Sequence, residues 1–150
     1  MKRYSLGFAF GTNQGGETVL LIRKVRPAWQ HGLLNGIGGH IEEGETPIQA
    51  MVREFEEECG VGTKETDWTH YMTMRGPDWE VYTYWTRAVD LSEARTTGAE
   101  RVVEACTRRG LSVGCLSNVA WMIEMSKDPQ TRKHPLLVVY ESEAALAEWP

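Results

Sequence analysis

Apolar positions along the chain fall into short runs separated by glycine, proline and charge, and their spacing changes from run to run. Tyr4–Phe10 is mostly apolar and aromatic, Gly11–Gly16 punctuates it and Val19–Arg23 follows, which predicts strand, turn, strand. Lys24–Gly36 reads as a loop. Between residues 47 and 59 the period lengthens. At about 100° per residue, Ile48, Met51, Val52, Phe55 and Cys59 form one stripe. Thr46 suits an N-cap, Pro47 the first helical position, Gln49 completes a capping box and Gly60 suits a left-handed stop, so a helix is predicted over 47–59. Trp68–Met74 and Glu80–Ala88 read as strands with Pro77-Asp78 in the turn. In the second of them Val81, Thr83 and Trp85 alternate with Tyr82, Tyr84 and Thr86, so both faces carry strand formers. Asp90–Gly98 is a polar loop and Glu100–Arg108 ends in a short strand. Asn118–Met125 is a second helix, stopped by Pro129. Leu136–Tyr140 looks like a buried strand and Ser142–Glu148 like a closing helical turn capped by Ser142. Helices alternating with strands of mixed pairing predict an α/β fold, an α/β/α sandwich around a mixed sheet.

Composition narrows the partners. The 150 residues suit one domain spanning 1–150. A net charge of −5 disfavours a nucleic-acid duplex or a membrane surface, although it leaves nucleotides open, because a metal can meet their phosphates. Cys59, Cys106 and Cys115 are odd in number and lack CxxC spacing, so no disulfide framework or zinc site is indicated and a reducing cytoplasm fits. The apolar run near the N-terminus is too short for a signal peptide, and no stretch reaches transmembrane length. A homodimer stays open.

The predicted helix carries Glu54, Glu57 and Glu58 on an arc nearly opposite its apolar stripe. Like charges so close repel by a few tenths of a kcal/mol per pair, and a hard divalent cation would relieve them through its preference for oxygen ligands. Taken alone, EFEEE is more often a solvated acidic face. Its flanks change that reading. Gly39, Glu45, Arg53, Glu54, Phe55, Glu57, Glu58, Gly60 and Val61 fit G-x5-E-x7-R-E-U-x-E-E-x-G-U without a miss, U being bulky aliphatic or aromatic. This stretch resembles the box of the Nudix hydrolases, which cleave a nucleoside diphosphate linked to some group X with Mg²⁺ or Mn²⁺. The resemblance implies Glu54, Glu57 and Glu58 as metal ligands, with the Gly39 carbonyl as a further one. Glu54 and Glu57 are thereby also catalytic, and Arg53 and Glu45 would orient the cluster as an ion pair. Glutamates bound to metal are poor bases. In many members a further acidic residue late in the chain joins the site as ligand or base, which points to Glu100 or Glu104. Glu100, on the loop side, is preferred, with Glu54 as the alternative base.

The run NGIGGHIEEGET over Asn35–Thr46 is similar to the lead-in loop of Nudix enzymes acting on purine nucleoside triphosphates, including those that remove oxidised purines. Asn35 and Gly38 are accordingly substrate-binding candidates, Asn35 because a carboxamide both donates to and accepts from a purine edge. An Asn-Gly pair is also an ordinary turn signal. A base needs a flat surface to stack on, and Trp79, beside the Pro-Asp turn, is the aromatic candidate; core packing is the alternative. His40 could touch phosphate or be an ordinary loop histidine. Three functions remain open: release of monophosphate and pyrophosphate from a nucleoside triphosphate; hydrolysis of another nucleoside diphosphate derivative such as ADP-ribose, a sugar nucleotide or a dinucleoside polyphosphate; and nucleotide binding without cleavage, against which the complete glutamate set argues.

Overall fold

The computed structural model describes residues 1–108, 111 and 114–141. Eight strands form one mixed sheet: β1 (Lys2–Asn13), β2 (Gly16–Arg23), β3 (Leu34–Asn35), β4 (Ile37–His40), β5 (Thr69–Arg75), β6 (Trp79–Thr86), β7 (Arg101–Cys106) and β8 (Leu136–Val139). Among the described residues three α-helices accompany them: α1 (Pro47–Cys59), α2 (Val119–Lys127) and α3 (Pro129–Lys133). The main path runs β3-β2-β1-β6-β5-β8, with β4 added to β1 and β7 to β2. Packing of α1 on one face and α2 on the other completes the predicted α/β/α sandwich. Among the described residues no helix is long and apolar enough to cross a membrane.

β1 explains where the sheet opens. Its N-terminal half, Tyr4 to Gly7, pairs with β4, whereas Phe10 to Asn13 pair with β2. β2 in turn leaves β1 beyond Val19 and takes β3 at Ile22 and Arg23. Gly36 alone links β3 on one branch to β4 on the other. The end of β2 and the strand β4 thus flank a fork, which α1 overhangs.

The helix α1 forms as its local signals require. Thr46 Oγ1 accepts from Gln49 N, Gln49 Oε1 accepts from Thr46 N, and Gly60 ends the helix at φ 74°. Met51, Phe55 and Cys59 of the predicted stripe are fully buried, as is Ala50, which the stripe did not include. Phe55 meets Trp68 edge-on at 5.0 Å. Burial of this kind stabilises by roughly 1.5–3 kcal/mol per large side chain, so the apolar face anchors the helix and leaves the acidic face outward. Cys59 donates its thiol to Phe55 O at 3.0 Å, and burial pushes it up to about 11. Cys115 is likewise buried and raised.

Several expectations require correction. The turn after the first strand is tighter than 11–16, because Gly11, Thr12 and Asn13 still pair with β2, and Asn13 Oδ1 closes the hairpin by accepting from Gly15 N at 2.8 Å. Trp68 precedes β5 instead of opening it. Pro129 does not merely end a helix. With Asp128 as N-cap it starts α3. β8 is the edge strand beside β5, so Leu137 and Val139 are exposed and the buried reading of 136–140 fails. The expected helical turn at 142–148 lies outside the described residues.

Glu17 holds α2 to the sheet. Its carboxylate accepts from Arg87 at 2.6 Å, Lys127 at 2.8 Å and Thr107 at 3.0 Å. Burial alone would raise its pKa, but the two cations and the hydroxyl bring it from 4.5 down to about 2. A folded-state pKa below the unfolded one contributes stability that is full above the unfolded value and lost as pH falls through the folded one. We expect Glu17→Gln to lower stability by about 1–2 kcal/mol at neutral pH. In urea titrations the gap to wild type should close between about pH 4.5 and 2. A gap that persists unchanged at the acid end would exclude this cluster as its source.

Candidate active site

A cavity of about 400 Å³ occupies the fork, bounded by Ile22 at the end of β2 and by Lys24 and Arg26 just after it, by Gly38, Gly39 and His40 of β4, by Glu54, Glu57 and Glu58 of α1, and by Thr97–Glu100. Each wall has a local cause. Leu20, Ile22 and Lys24 alternate on one side of an extended segment, so Lys24 continues the row that faces α1. Gly38 has φ 158°, and a Cβ there would collide with the Ser5 carbonyl. At Gly39 a Cβ would come within 2.5 Å of the Glu54 carboxylate. The two glycines therefore let β4 lie directly against β1 on one side and against α1's acidic face on the other.

Arg53 organises the acidic face. Its guanidinium donates to both carboxylate oxygens of Glu45 at 2.9 Å, to Glu54 at 2.8 Å, to Glu57 at 3.1 Å and to His40 O at 2.9 Å. Charge-assisted, bidentate pairing of this sort is geometrically specific. Hydrogen bonding to Arg53 holds Glu45 below the usual carboxylate range, and the same pairing raises Arg53. Glu54 and Glu58 behave differently. Burial raises Glu54, against the pull of Arg53. Burial pushes Glu58 up to about 7, and the charges of Glu54 and Glu100 add to that, while Lys24 and the Gly38 N–H, 3.3 Å from Glu58, oppose it. Desolvation is the leading cause at both carboxylates.

Glu100 reaches the same cavity from outside α1. It accepts from Lys24 Nζ at 2.8 Å and from Val25 N at 2.9 Å. Burial raises its pKa, but these partners outweigh burial and leave it lowered. Glu104 accepts from Thr18 Oγ1 at 2.8 Å and does not line the cavity. Asn35 pairs with Ile22 across the β2–β3 ladder, and its Oδ1 accepts from Gly36 N at 2.8 Å. It thus sits beside Ile22 on the neighbouring strand and is not itself among the cavity residues. Trp79 belongs to the opposite, α2 face of the sheet, where it packs beside Tyr140 with ring centroids 5.4 Å apart. It is not among the cavity residues, and its neighbours are those of core packing. His40 is exposed at the rim, edge-on to Tyr4 at 5.4 Å. Sequence reasoning missed Lys24, Arg26 and Thr97. The alternation Leu20–Ile22–Lys24 could have found the first. Nothing local marks Thr97, whose hydroxyl donates to Glu57 O and ties the loop to the end of α1.

A divalent metal suits the chemistry of this donor set, which is all oxygen, crowded and partly desolvated. Among the described residues no three acidic, histidine or cysteine side chains converge on one point. Arg53 occupies the centre of the acidic face and spreads Glu54 and Glu57 around itself. Glu54, Glu57 and Glu58 would hold the ion, with the backbone of Gly39 close by.

A profile of the NUDIX domain matches residues 2–116. The 8-oxo-dGTP diphosphatase of Escherichia coli K12 is 31% identical over 100 residues, covering 67% of this chain and 76% of that protein. The NUDIX domain of Shewanella oneidensis NrtR, crystallised with ADP ribose, superposes with a TM-score of 0.72 at 16% identity over 83% of this chain and 85% of that one. A MutT/nudix family protein from Enterococcus faecalis superposes at 0.60 and 16% identity over 69% of this chain, which spans only 42% of its length. At such identities the two structures speak for the fold alone.

If the acidic face holds a cation, the folded protein gains stability by mass action, about 2.7 kcal/mol at 100 times Kd. The melting temperature should rise with Mn²⁺ or Mg²⁺ and respond far less to an equal ionic strength of NaCl. Glu58→Gln should blunt the rise. Equal responses to MnCl₂ and NaCl would remove the metal from this site.

Proposed function

This chain belongs to the NUDIX family of phosphoric-anhydride hydrolases, and from that footing we propose that it cleaves a nucleoside triphosphate, an oxidised purine among the candidates, to the monophosphate and pyrophosphate. The observation that carries the reading is the single cavity that Glu54, Glu57, Glu58 and Glu100 share with the backbone of Gly38 and Gly39. The triphosphate class is supported by the Asn35–Thr46 lead-in and by the similarity to an 8-oxo-dGTP diphosphatase. Mg²⁺ or Mn²⁺, when bound, supplies neutralisation of the phosphate charge and a lowered pKa for the attacking water.

The remaining work falls to residues of the chain. Glu54, Glu57 and Glu58 position the ion along α1. Arg53 and Glu45 lock that helix face to the loop before it, so the carboxylates do not have to reorganise when substrate arrives. The Gly38 and Gly39 backbone forms the floor on which the phosphates rest, and Asn35, beside Ile22 at the edge of the cavity, reads the base. Glu100 is the proton acceptor outside the helix. In the free protein Lys24 keeps it ionised but also holds its pKa down, so it serves as a base once that pairing loosens. The free thiols of Cys59, Cys106 and Cys115 suit a reducing, cytoplasmic setting.

Purified protein with Mg²⁺ and a nucleotide panel tests this directly. Pyrophosphate and monophosphate should appear in equal amounts from triphosphates, and orthophosphate should not. Turnover confined to ADP-ribose or another diphosphate derivative would replace the proposed substrate class. Glu57→Gln and Glu58→Gln should each lower turnover by at least about 100-fold while remaining folded. A folded variant with near wild-type turnover would overturn the metal assignment. Asn35→Ala should raise KM for purine more than for pyrimidine substrates. An equal change would reduce Asn35 to a turn-former.

A further inference from the structure

The main strand path ends on β8, and among the described residues no strand pairs with its outer edge. Tyr140 N donates to Arg75 O on the β5 side. In a parallel ladder successive residues turn their N–H and C=O groups to alternate sides, so Leu137 and Val139 direct theirs outward. An open edge of this kind is a template for further pairing, which proteins blunt with charge, proline or a bulge. β8 has none of these within it. It reads Leu136-Leu137-Val138-Val139, runs in unbroken register along β5, and leaves Leu136, Leu137 and Val139 37%, 58% and 56% exposed.

The charge at its two ends says what fits. Lys133 precedes the strand and Glu141 follows it, both exposed. Among the described residues neither has an ion-pair partner. An antiparallel copy of the same segment reverses the order of charge, so each basic end meets an acidic end. A parallel copy would set like against like.

We propose that the β8 edge binds β8 of a second copy of this chain, antiparallel about a two-fold axis at Leu137, which joins two sheets into one. In that register the Leu137 N–H and C=O groups of the two copies bond each other, Val139 N–H donates to the partner's Pro135 carbonyl, and Lys133 comes near the partner's Glu141. The contact is isologous, so it closes at a dimer. Four residues per copy make a small interface, which corresponds to a Kd of about 10–100 µM. The inference is independent of the hydrolase reading. β8 ends the strand path on the side away from β2, whose end borders the cavity, and each copy keeps its cavity open.

Sedimentation velocity of the full chain over about 5–500 µM brackets this Kd. The sedimentation coefficient should climb with concentration from the monomer value to the dimer value. Leu137→Lys sets like charges directly opposite each other at the two-fold and should weaken association at least about tenfold. Its urea midpoint should stay near wild type, because a lysine suits a solvent-facing edge. Lys133→Glu and Glu141→Lys should each weaken association about tenfold, since symmetry counts every reversal twice. The double variant should recover the wild-type affinity. Two exposed substitutions that harm separately and cancel together exclude damaged folding as the cause. The proposal fails if wild type stays monomeric throughout, as it would were residues 142–150 or another protein to cover the strand. It fails equally if Leu137→Lys dimerises as wild type does, or if the double reversal is no better than either single one.

Discussion

The Arg53 guanidinium is the contact on which the cavity depends. It joins three carboxylates and one carbonyl that come from the last residue of β4, the loop after it and α1. Without it, Glu45 would have no reason to sit beside α1, and Glu54 and Glu57 would repel each other on a helix that gains nothing from their proximity. Truncating one partner of such a network leaves the others desolvated and unpaired, which is costlier than the pairing itself is favourable. Arg→Lys is therefore not conservative here, since an ammonium cannot present the forked geometry.

The same constraint reaches the backbone. Arg53 holds the chain at His40, and Gly38 and Gly39 allow that chain to pass between Ser5 and Glu54 without side-chain bulk. On the far side, Thr97 and Arg95 bond to the carbonyls of Glu57 and Cys59, so the loop that delivers Glu100 is indexed to the C-terminal turn of α1. Both ends of one helix thus fix the two loops that close the cavity. The sheet contributes the gap by letting β1 and β2 part company.

Much of this was legible from residue order, and the boundary is physical. The α1 helix was readable because its caps, proline and stripe act within a few residues of one another. Glu45, Arg53 and the three glutamates were recoverable because they occupy a single continuous segment. Glu100 was one of two candidates that residue order left open. What separates it from Glu104 is the register of β7 on β2, which points Glu104 to Thr18 and lets Glu100 reach Lys24. That pairing spans 76 residues, and no local pattern encodes it. Trp79's place on the α2 face was hidden for a related reason. Its proximity to a turn says nothing about which face of the sheet it takes, and alternation along β6 sends it to the side away from α1.

The buried thiols bear on chemical durability. Only a thiolate reacts readily with peroxide, so a cysteine held at about 11 in a dry setting oxidises slowly. Cys59 sits one residue from Glu58, where a sulfenic or sulfinic group would wedge into the packing that aims the acidic face. A thiol so placed leaves the packing under the acidic face less open to oxidation. Cys59 and Cys115 are thus sheltered from oxidants, and Cys106, only half-buried, is the thiol left within their reach.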